Sequence, residues 1–530
     1  MVLLLLLCGA IVPQSPADDF PLSVSSVRAE RMPKLVQEAV DRDLLVTGLK
    51  ARTIRSRSVF DVTFAANSEK LAWIILINQT AAQQESSAEG YAKDGYEVSL
   101  QETVRSGSQK LVSTVWVRRT EKSQLILPEG EVPVSGAAVA GFEAADEFMT
   151  AFLKKHNAAG ATLAISDHGR IVYNRGFGYA DVTAAEAMQP NHVMRIASIS
   201  KPLTAVAVML LCEQGKLDPD QPVLPLLASA VVDPPTDSRW KDMTIRHLLQ
   251  HSAGWDRAVS GDPMFRVVEI TREEKLRSPA RQTDIVRWQL QRPLDFDPGS
   301  KYAYSNFGYC VLGRVIEVVT QKSCESAVRE LVLDPCGMQT TRLGKTRLTD
   351  RQPDEVRYHM QTATRHTPFW KIAQVGNGRR SVESIPAVES PYGQWDLEVM
   401  DAHGGWLSSS EDLLKLLSAM DRSDQPLLKT ASLETMLARP TFEPENEVTW
   451  YGLGWSVRNK GGHGQPLEGH NIWHTGALAG TSTLLVHRFD GMAWAVLFNT
   501  DFSTTGKRLT EIIDPQLHSV VSRCTKDAQP

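Results

Sequence analysis

The sequence is poor in cysteine, has no long charge-free span and carries no surplus of positive charge. Each shortage removes a class of function. Six cysteines are scattered at 8, 212, 310, 324, 336 and 524, with no CxxC pair and no His/Cys cluster. That spacing predicts neither a zinc site nor a disulfide scaffold. Cys212 and Cys310 lie in apolar runs and read as small buried hydrophobes, and a single bridge between Cys324 and Cys336 is the one pairing left open. The net charge of −5 offers no footprint for nucleic acid. The apolar run at 2–12 is too short to span a bilayer as a helix, and no other segment has the length. With Ser15-Pro16-Ala17 as a small-residue cleavage site behind it, residues 1–17 read as a secretory signal peptide without its positive n-region. Cys8 makes a poor lipoprotein cysteine because leucines precede it. Export, to the periplasm or the medium, is the expectation.

What is present is ordinary globular material. At 42% hydrophobic and 22% charged, the 530 residues have ample core, and the length suits two or more domains. Residues 18–127 form a first module. Alternation at 59–65 and an apolar run at 71–77 with Trp73 predict strands. Thr80 can cap a helix over 81–92, Asp94-Gly95 ends it, and 96–104 and 111–117 pair around Ser106-Gly107. This β-α-β-β unit gathers no catalytic residue types. Residues 128–141 are rich in Pro and Gly and read as a linker. A helix over 142–156 and a hairpin of strands, 161–166 and 171–179, open the remainder, 142–530.

That remainder is organised around 195–216, RIASISKPLTAVAVMLLCEQGK. Residues 203–212 carry no charge, and a helix apolar on every face is a buried one. Pro202 falls in its first turn, where a missing N–H costs little, and Gly215 ends it. Ser198 therefore stands at the N-terminus of a core helix, with Lys201 one turn on along the same face. The helix end favours a developing alkoxide. A lysine crowded by apolar neighbours loses basicity and can accept the serine proton. The same spacing also describes a helix cap with a solvated lysine. A second Ser-x-x-Lys, Ser238 to Lys241, follows a turn-rich segment with no apolar helix behind it and reads as a solvated loop.

Two further stretches carry chemistry-bearing residues. In FDPGSKYAYSN, 296–306, a Pro-Gly turn leads to Tyr304 and Asn306 ahead of an apolar helix at 307–319. A tyrosine beside a lysine cation has a lowered pKa and can relay a proton, and the asparagine can hold a substrate carbonyl or the lysine. Taken alone, the stretch is equally a surface turn with a packing tyrosine. In His474-Thr475-Gly476-Ala477, ahead of strands at 481–487 and 493–499, Gly476 would let a substrate backbone approach an edge strand. The amides of Ala477 and Ser198 would form an oxyanion hole. Alone, this is an ordinary glycine turn. His247 and His251, in the stretch 245–254 that reads as a short helix ending in a glycine turn, are of a catalytic type but read as structural, satisfied by the helix dipole and its free carbonyls. Residues 340–400 read as a polar insertion near the site.

Together, Ser198-x-x-Lys201, Tyr304-Ser305-Asn306 and Thr475-Gly476, in that order and within the strings RIASISKPLTA, TIRHLLQHSAG, FDPGSKYAYSNFGY and GHNIWHTG, resemble the serine β-lactamase and penicillin-binding protein superfamily, in its class C branch. That branch includes D-Ala-D-Ala peptidases, family VIII esterases and LACTB-type proteases. Residues 55–119 resemble the bacterial tandem-repeat domain found before some secreted serine hydrolases, and 35–58 read as a remnant of a second copy.

The resemblance implies an α/β (α+β) β-lactamase/transpeptidase-like fold, an antiparallel sheet flanked by helices plus a helical subdomain, preceded by the small α+β module. It implies acyl transfer by Ser198, with Lys201 and Tyr304 sharing the base role. Asn306, His474, Thr475, Gly476 and Ala477 would line the substrate site. No metal or other cofactor is needed. The partner is a small-molecule or peptide substrate, such as a cell-wall peptide. Class C β-lactamases have lysine where His474 stands, and histidine is largely neutral at pH 7. The expectation is a peptidase or esterase, with a true β-lactamase and a non-catalytic penicillin-recognising protein as the competing readings.

Overall fold

The computed structural model describes residues 21–527, apart from 43, 56, 68–71, 94–95, 119–122, 228–233, 364, 367–368, 370–387, 422–423, 445 and 462–465. The expected signal peptide and the Asp94-Gly95 stop lie outside the described residues. The chain forms two compact units, the first of residues up to Lys122 together with, among the described residues, Arg365 and His366, the second of the rest from Ser123.

The first unit contains the same β-α-β-β path twice. Strand Ser23–Arg28, helix Met32–Asp41 and strands Leu44–Ile54 and Arg57–Ala66 make one copy. Strand Ala72–Gln79, helix Ala81–Lys93 and strands Glu97–Ser106 and Gln109–Arg118 make the other. In each three-stranded sheet the last strand is central, antiparallel to both neighbours. The reading of 35–58 as a remnant is thus corrected: the first copy is whole. It escaped notice because it contains neither Trp nor Tyr and fills its core with Phe60, Phe64 and aliphatic residues. The second copy's helix starts at the expected cap, Thr80, which forms a capping box with Gln83, the two exchanging side-chain and backbone bonds.

The second unit is built on a nine-stranded sheet. The hairpin Gly160–Asp167 and Arg170–Asp181 lies beside the C-terminal strands Met492–Phe498, Thr481–His487 and His470–Leu478, followed by Ser456–Asn459 and Thr449–Tyr451. Period-two alternation decides what each face buries. Trp494, Val496 and Phe498 point to the side covered by helices Glu143–His156 and Leu509–Asp527. Ala493, Ala495 and Leu497 point to the larger core that holds helix Ser200–Glu213. The 128–141 stretch is partly sheet: Val134–Ser135 pairs with Gly176 and Phe177. Residues 340–363 are tied into the core rather than appended: 347–350 are exposed, but Val356 and Tyr358 are fully buried and Arg342–Leu343 is paired to Trp406–Ser408. Cys324 and Cys336 are both free thiols.

Candidate active site

Ser198 sits in a 3-10 turn, Ala197–Ile199, that runs directly into helix Ser200–Glu213. Every residue from 192 to 209 is buried except Ser198, which is half-buried. The packing thus leaves the hydroxyl as the accessible atom of an otherwise enclosed segment. The turn is forced: Ala197 has φ +47°, a left-handed conformation that costs a non-glycine residue about 1–2 kcal/mol. The sheet holds it there. Thr481 Oγ1 donates to the Arg195 carbonyl and Thr483 Oγ1 to the Ile196 carbonyl, both at 3.0 Å. Gly476 leaves room for that carbonyl, since a Cβ at 476 would lie 2.1 Å from Ile196 O. Gly476 is therefore required by the nucleophile turn itself, a reason for glycine separate from the substrate approach expected of it. The strand's 456–459 neighbour pairs only as far as Trp473, so 474–478 are paired on one side alone, the open edge that was expected.

Lys201 is fully buried. Its Nζ lies 3.1 Å from Ser198 Oγ, 2.7 Å from Asn306 Oδ1 and 2.9 Å from the His403 carbonyl. Burial holds its pKa well below the ordinary lysine value, opposed by the Asp262 carboxylate and aided by Arg257. A neutral amine has two N–H bonds and one lone pair. In that form the two acceptors Asn306 Oδ1 and His403 O use both N–H bonds, which leaves the lone pair for the Ser198 hydroxyl.

Tyr304 approaches Ser198 from another side, its phenol donating to Oγ at 2.7 Å. Its pKa is raised, not lowered, with burial the largest cause. The expected lowering presumed a cation beside it, and Lys201, 4.7 Å from the ring centroid, is itself driven toward neutrality. Ser305 caps helix Asn306–Thr320 through Gly308 N–H at 3.1 Å, which fixes Tyr304 just outside the helix and Asn306 as its first residue. Asn306 Nδ2 donates to Asp262 Oδ2 at 2.7 Å.

His474 is buried, and burial, then Lys201, lower its pKa to about 3. Its Nδ1 lies 2.7 Å from the Thr475 carbonyl and its Nε2 3.0 Å from the Tyr451 hydroxyl. A neutral ring satisfies both when Nδ1–H donates to the carbonyl and Nε2 accepts from the phenol. It brings no charge to the site. Thr475 is exposed and Ala477 half-buried. The exposed cation here is Arg257, whose guanidinium lies 4.9 Å from the Tyr304 ring centroid with no carboxylate paired to it among the described residues. His251 accepts from Ser305 N–H at 3.2 Å within a ring of Tyr302, Tyr304, Tyr309 and Tyr451. It braces the Tyr304 loop instead of meeting a helix dipole, and His247 completes a capping box at its helix's start, not its end. Ser238 and Lys241 are exposed, away from this cluster.

The beta-lactamase family model matches residues 145–516. The chain belongs to the beta-lactamase family. It is a serine hydrolase of that family with a β-lactamase/penicillin-binding-protein-like fold. It is 27% identical to penicillin-binding protein 4* of Bacillus subtilis over 345 residues, covering 64% of this chain and 67% of that protein. It is 25% identical to the human mitochondrial serine beta-lactamase-like protein LACTB over 425 residues, covering 67% and 73%. Among solved structures, a D-stereospecific amidohydrolase from a Streptomyces species aligns over 72% of this chain and 97% of its own, with a TM-score of 0.51 and 23% identity, a likeness of fold. Asp262, His403, Thr481 and Thr483 are the site residues that sequence reasoning missed. A Gly-Gly-Trp string flags the His403 loop, but it is the carbonyl of residue 403 that matters, and a carbonyl leaves no trace in residue type.

Proposed function

We propose that this family member is an exported serine hydrolase that cleaves peptides of the D-alanyl type, and small esters, through an acyl-Ser198 intermediate. The observation that carries the chemistry is the Ser198 hydroxyl held between the buried Lys201 amine, whose pKa burial lowers, and the Tyr304 phenol. Ser198 Oγ bonds to the substrate carbonyl carbon while its proton passes to Lys201 Nζ. As the C–N or C–O bond breaks, the leaving group takes the Tyr304 proton, and the Lys201 ammonium returns one to Tyr304. The Ser198 and Ala477 amides are the donors assigned to the oxyanion. Water then attacks the acyl carbon and frees Ser198. Export is argued from the apolar run at 2–12 and the small residues after it.

The neutral, buried His474 favours this reading over a β-lactamase, because no fixed cation stands at the 474 position. The exposed Arg257 favours peptide over ester, since a free terminal carboxylate would find its partner there. The test is a panel of p-nitrophenyl butyrate, a D-Ala-D-Ala peptide, its C-terminal amide and nitrocefin, with wild type, Ser198→Ala and Arg257→Ala. The expected result is no turnover by Ser198→Ala, negligible nitrocefin hydrolysis, and a tenfold loss by Arg257→Ala on the acid peptide that its amide does not share. Full activity in Ser198→Ala sinks the mechanism, and efficient nitrocefin hydrolysis sinks the substrate preference.

A further inference from the structure

An asparagine amide has a donor end and an acceptor end, and only one way round serves Lys201. With Oδ1 toward Nζ, as found at 2.7 Å, the amide takes one N–H bond of the lysine. Reversed, its NH2 group would meet Nζ and compete with Ser198 for the single lone pair of the neutral amine. Lys201 does not choose the orientation by itself, because an amine can accept as well as donate. The His403 carbonyl is an acceptor already used by the second N–H.

The other end of Asn306 meets a group with no such freedom. Asp262 Oδ2 accepts Asn306 Nδ2–H at 2.7 Å, while Asp262 Oδ1 accepts Met264 N–H at 3.1 Å and caps the 3-10 turn Pro263–Phe265. Burial pushes the Asp262 pKa up, opposed by its bonds from Asn306 and Met264 and by Arg257 and Lys201; both oxygens already accept N–H bonds, and as the carboxylate the group has only acceptors. If the Asn306 amide turned over, oxygen would face oxygen in a buried site, where an unmade bond is costly. We propose that Asp262 is a positioning residue that locks the Asn306 amide, and through it aims the Lys201 lone pair at Ser198. This rests on Ser198 and Lys201 being nucleophile and base. Asp262 touches neither the nucleophile nor the proton being moved; beside its charge, which opposes the lowering of the Lys201 pKa, it acts through one amide.

The carboxylate has two separable jobs, and a substitution can keep one and remove the other. Serine is as good a cap as aspartate and too short to reach Asn306. In the full-length protein, Asp262→Ser, Asn306→Ala, the double variant and Ser198→Ala are assayed on p-nitrophenyl butyrate, with folding checked by circular dichroism. Asp262→Ser is expected to lower kcat by ten- to a hundredfold with KM within twofold of wild type. In the Asn306→Ala background the same change is expected to cost less than twofold, because the amide it orients is gone. Wild-type kcat in Asp262→Ser, or an equal loss in both backgrounds, overturns the proposal. If Asp262→Ser does not fold, Asp262→Asn enters the same cycle, since it too caps the turn but cannot accept from both partners with one oxygen. Full activity in Ser198→Ala would instead overturn the catalytic reading on which this rests.

Discussion

His474 lies among groups that exclude water, and it stays neutral because burial, then Lys201, disfavours an imidazolium there. Its pKa, about 3 in the folded chain against an ordinary 6.5, has a consequence for stability that can be signed. Between those values the unfolded chain binds a proton at this residue and the folded chain does not. Stability therefore falls as pH drops below 6.5 and stops falling near 3. At about 1.36 kcal/mol per unit, the loss by pH 4 is about 3 kcal/mol. Urea unfolding of wild type and His474→Gln at pH 7 and pH 4 isolates it, since other titrating groups cancel in the comparison. Wild type is expected to lose about 3 kcal/mol more than the variant. Equal losses would mean that His474 is solvated in the folded state.

At the level of elements, the site is a contact between one strand and one turn. Strand His470–Leu478 presses Gly476 against the carbonyl of Ile196, two residues before Ser198. Gly476→Ala places a methyl group 2.1 Å from that backbone oxygen and 2.3 Å from Thr483 Oγ1, a short β-branched side chain with little room to yield. The turn must shift, and Ser198 with it. A loss of at least a hundredfold in kcat/KM is expected, with destabilisation of about 1–3 kcal/mol from overpacking; unchanged kinetics would show that the turn is not braced by the strand. Much of this element was legible beforehand. The charge-free run 203–212 announced a buried helix, and one turn of it placed Lys201 beside Ser198. Tyr304 and Asn306 were legible because a Pro-Gly turn and an apolar helix framed them. What escaped were partners that act across large sequence separations through backbone atoms or single hydrogen bonds: the His403 carbonyl, Asp262, and the two threonines on Thr481–His487. Local pattern carries no signal for them. The pKa of Tyr304 was misjudged for a related reason, since its direction depends on whether Lys201 is charged, and that is set by burial that only the assembled core provides.

On the scale of the whole chain, the two units have separate apolar interiors. The first unit's core, from Val27 to Val115 together with the Tyr91, Tyr96 and Trp116 cluster, shares no residue with the two cores of the catalytic unit. The catalytic unit also closes on itself: its first hairpin pairs with the strand Met492–Phe498 near its end, so it gains cooperativity only once both are in place. Chains with independent cores unfold in independent steps, and a single two-state description does not apply. Calorimetry of the full chain is expected to resolve two transitions. A fluorophosphonate that phosphonylates Ser198, with loss of fluoride, adds contacts to the folded catalytic unit alone, so it raises one midpoint and leaves the other in place, by the same logic that links ligand binding to stability. Ser198→Ala should show the same two transitions with no response to the reagent. If both midpoints move together in wild type, the duplicated β-α-β-β module unfolds as part of the enzyme, and its removal should then cost activity on even the smallest ester. If only one moves, residues 123–530 expressed alone should hydrolyse p-nitrophenyl butyrate at the full-length rate, and a role for the module would have to be sought with larger substrates.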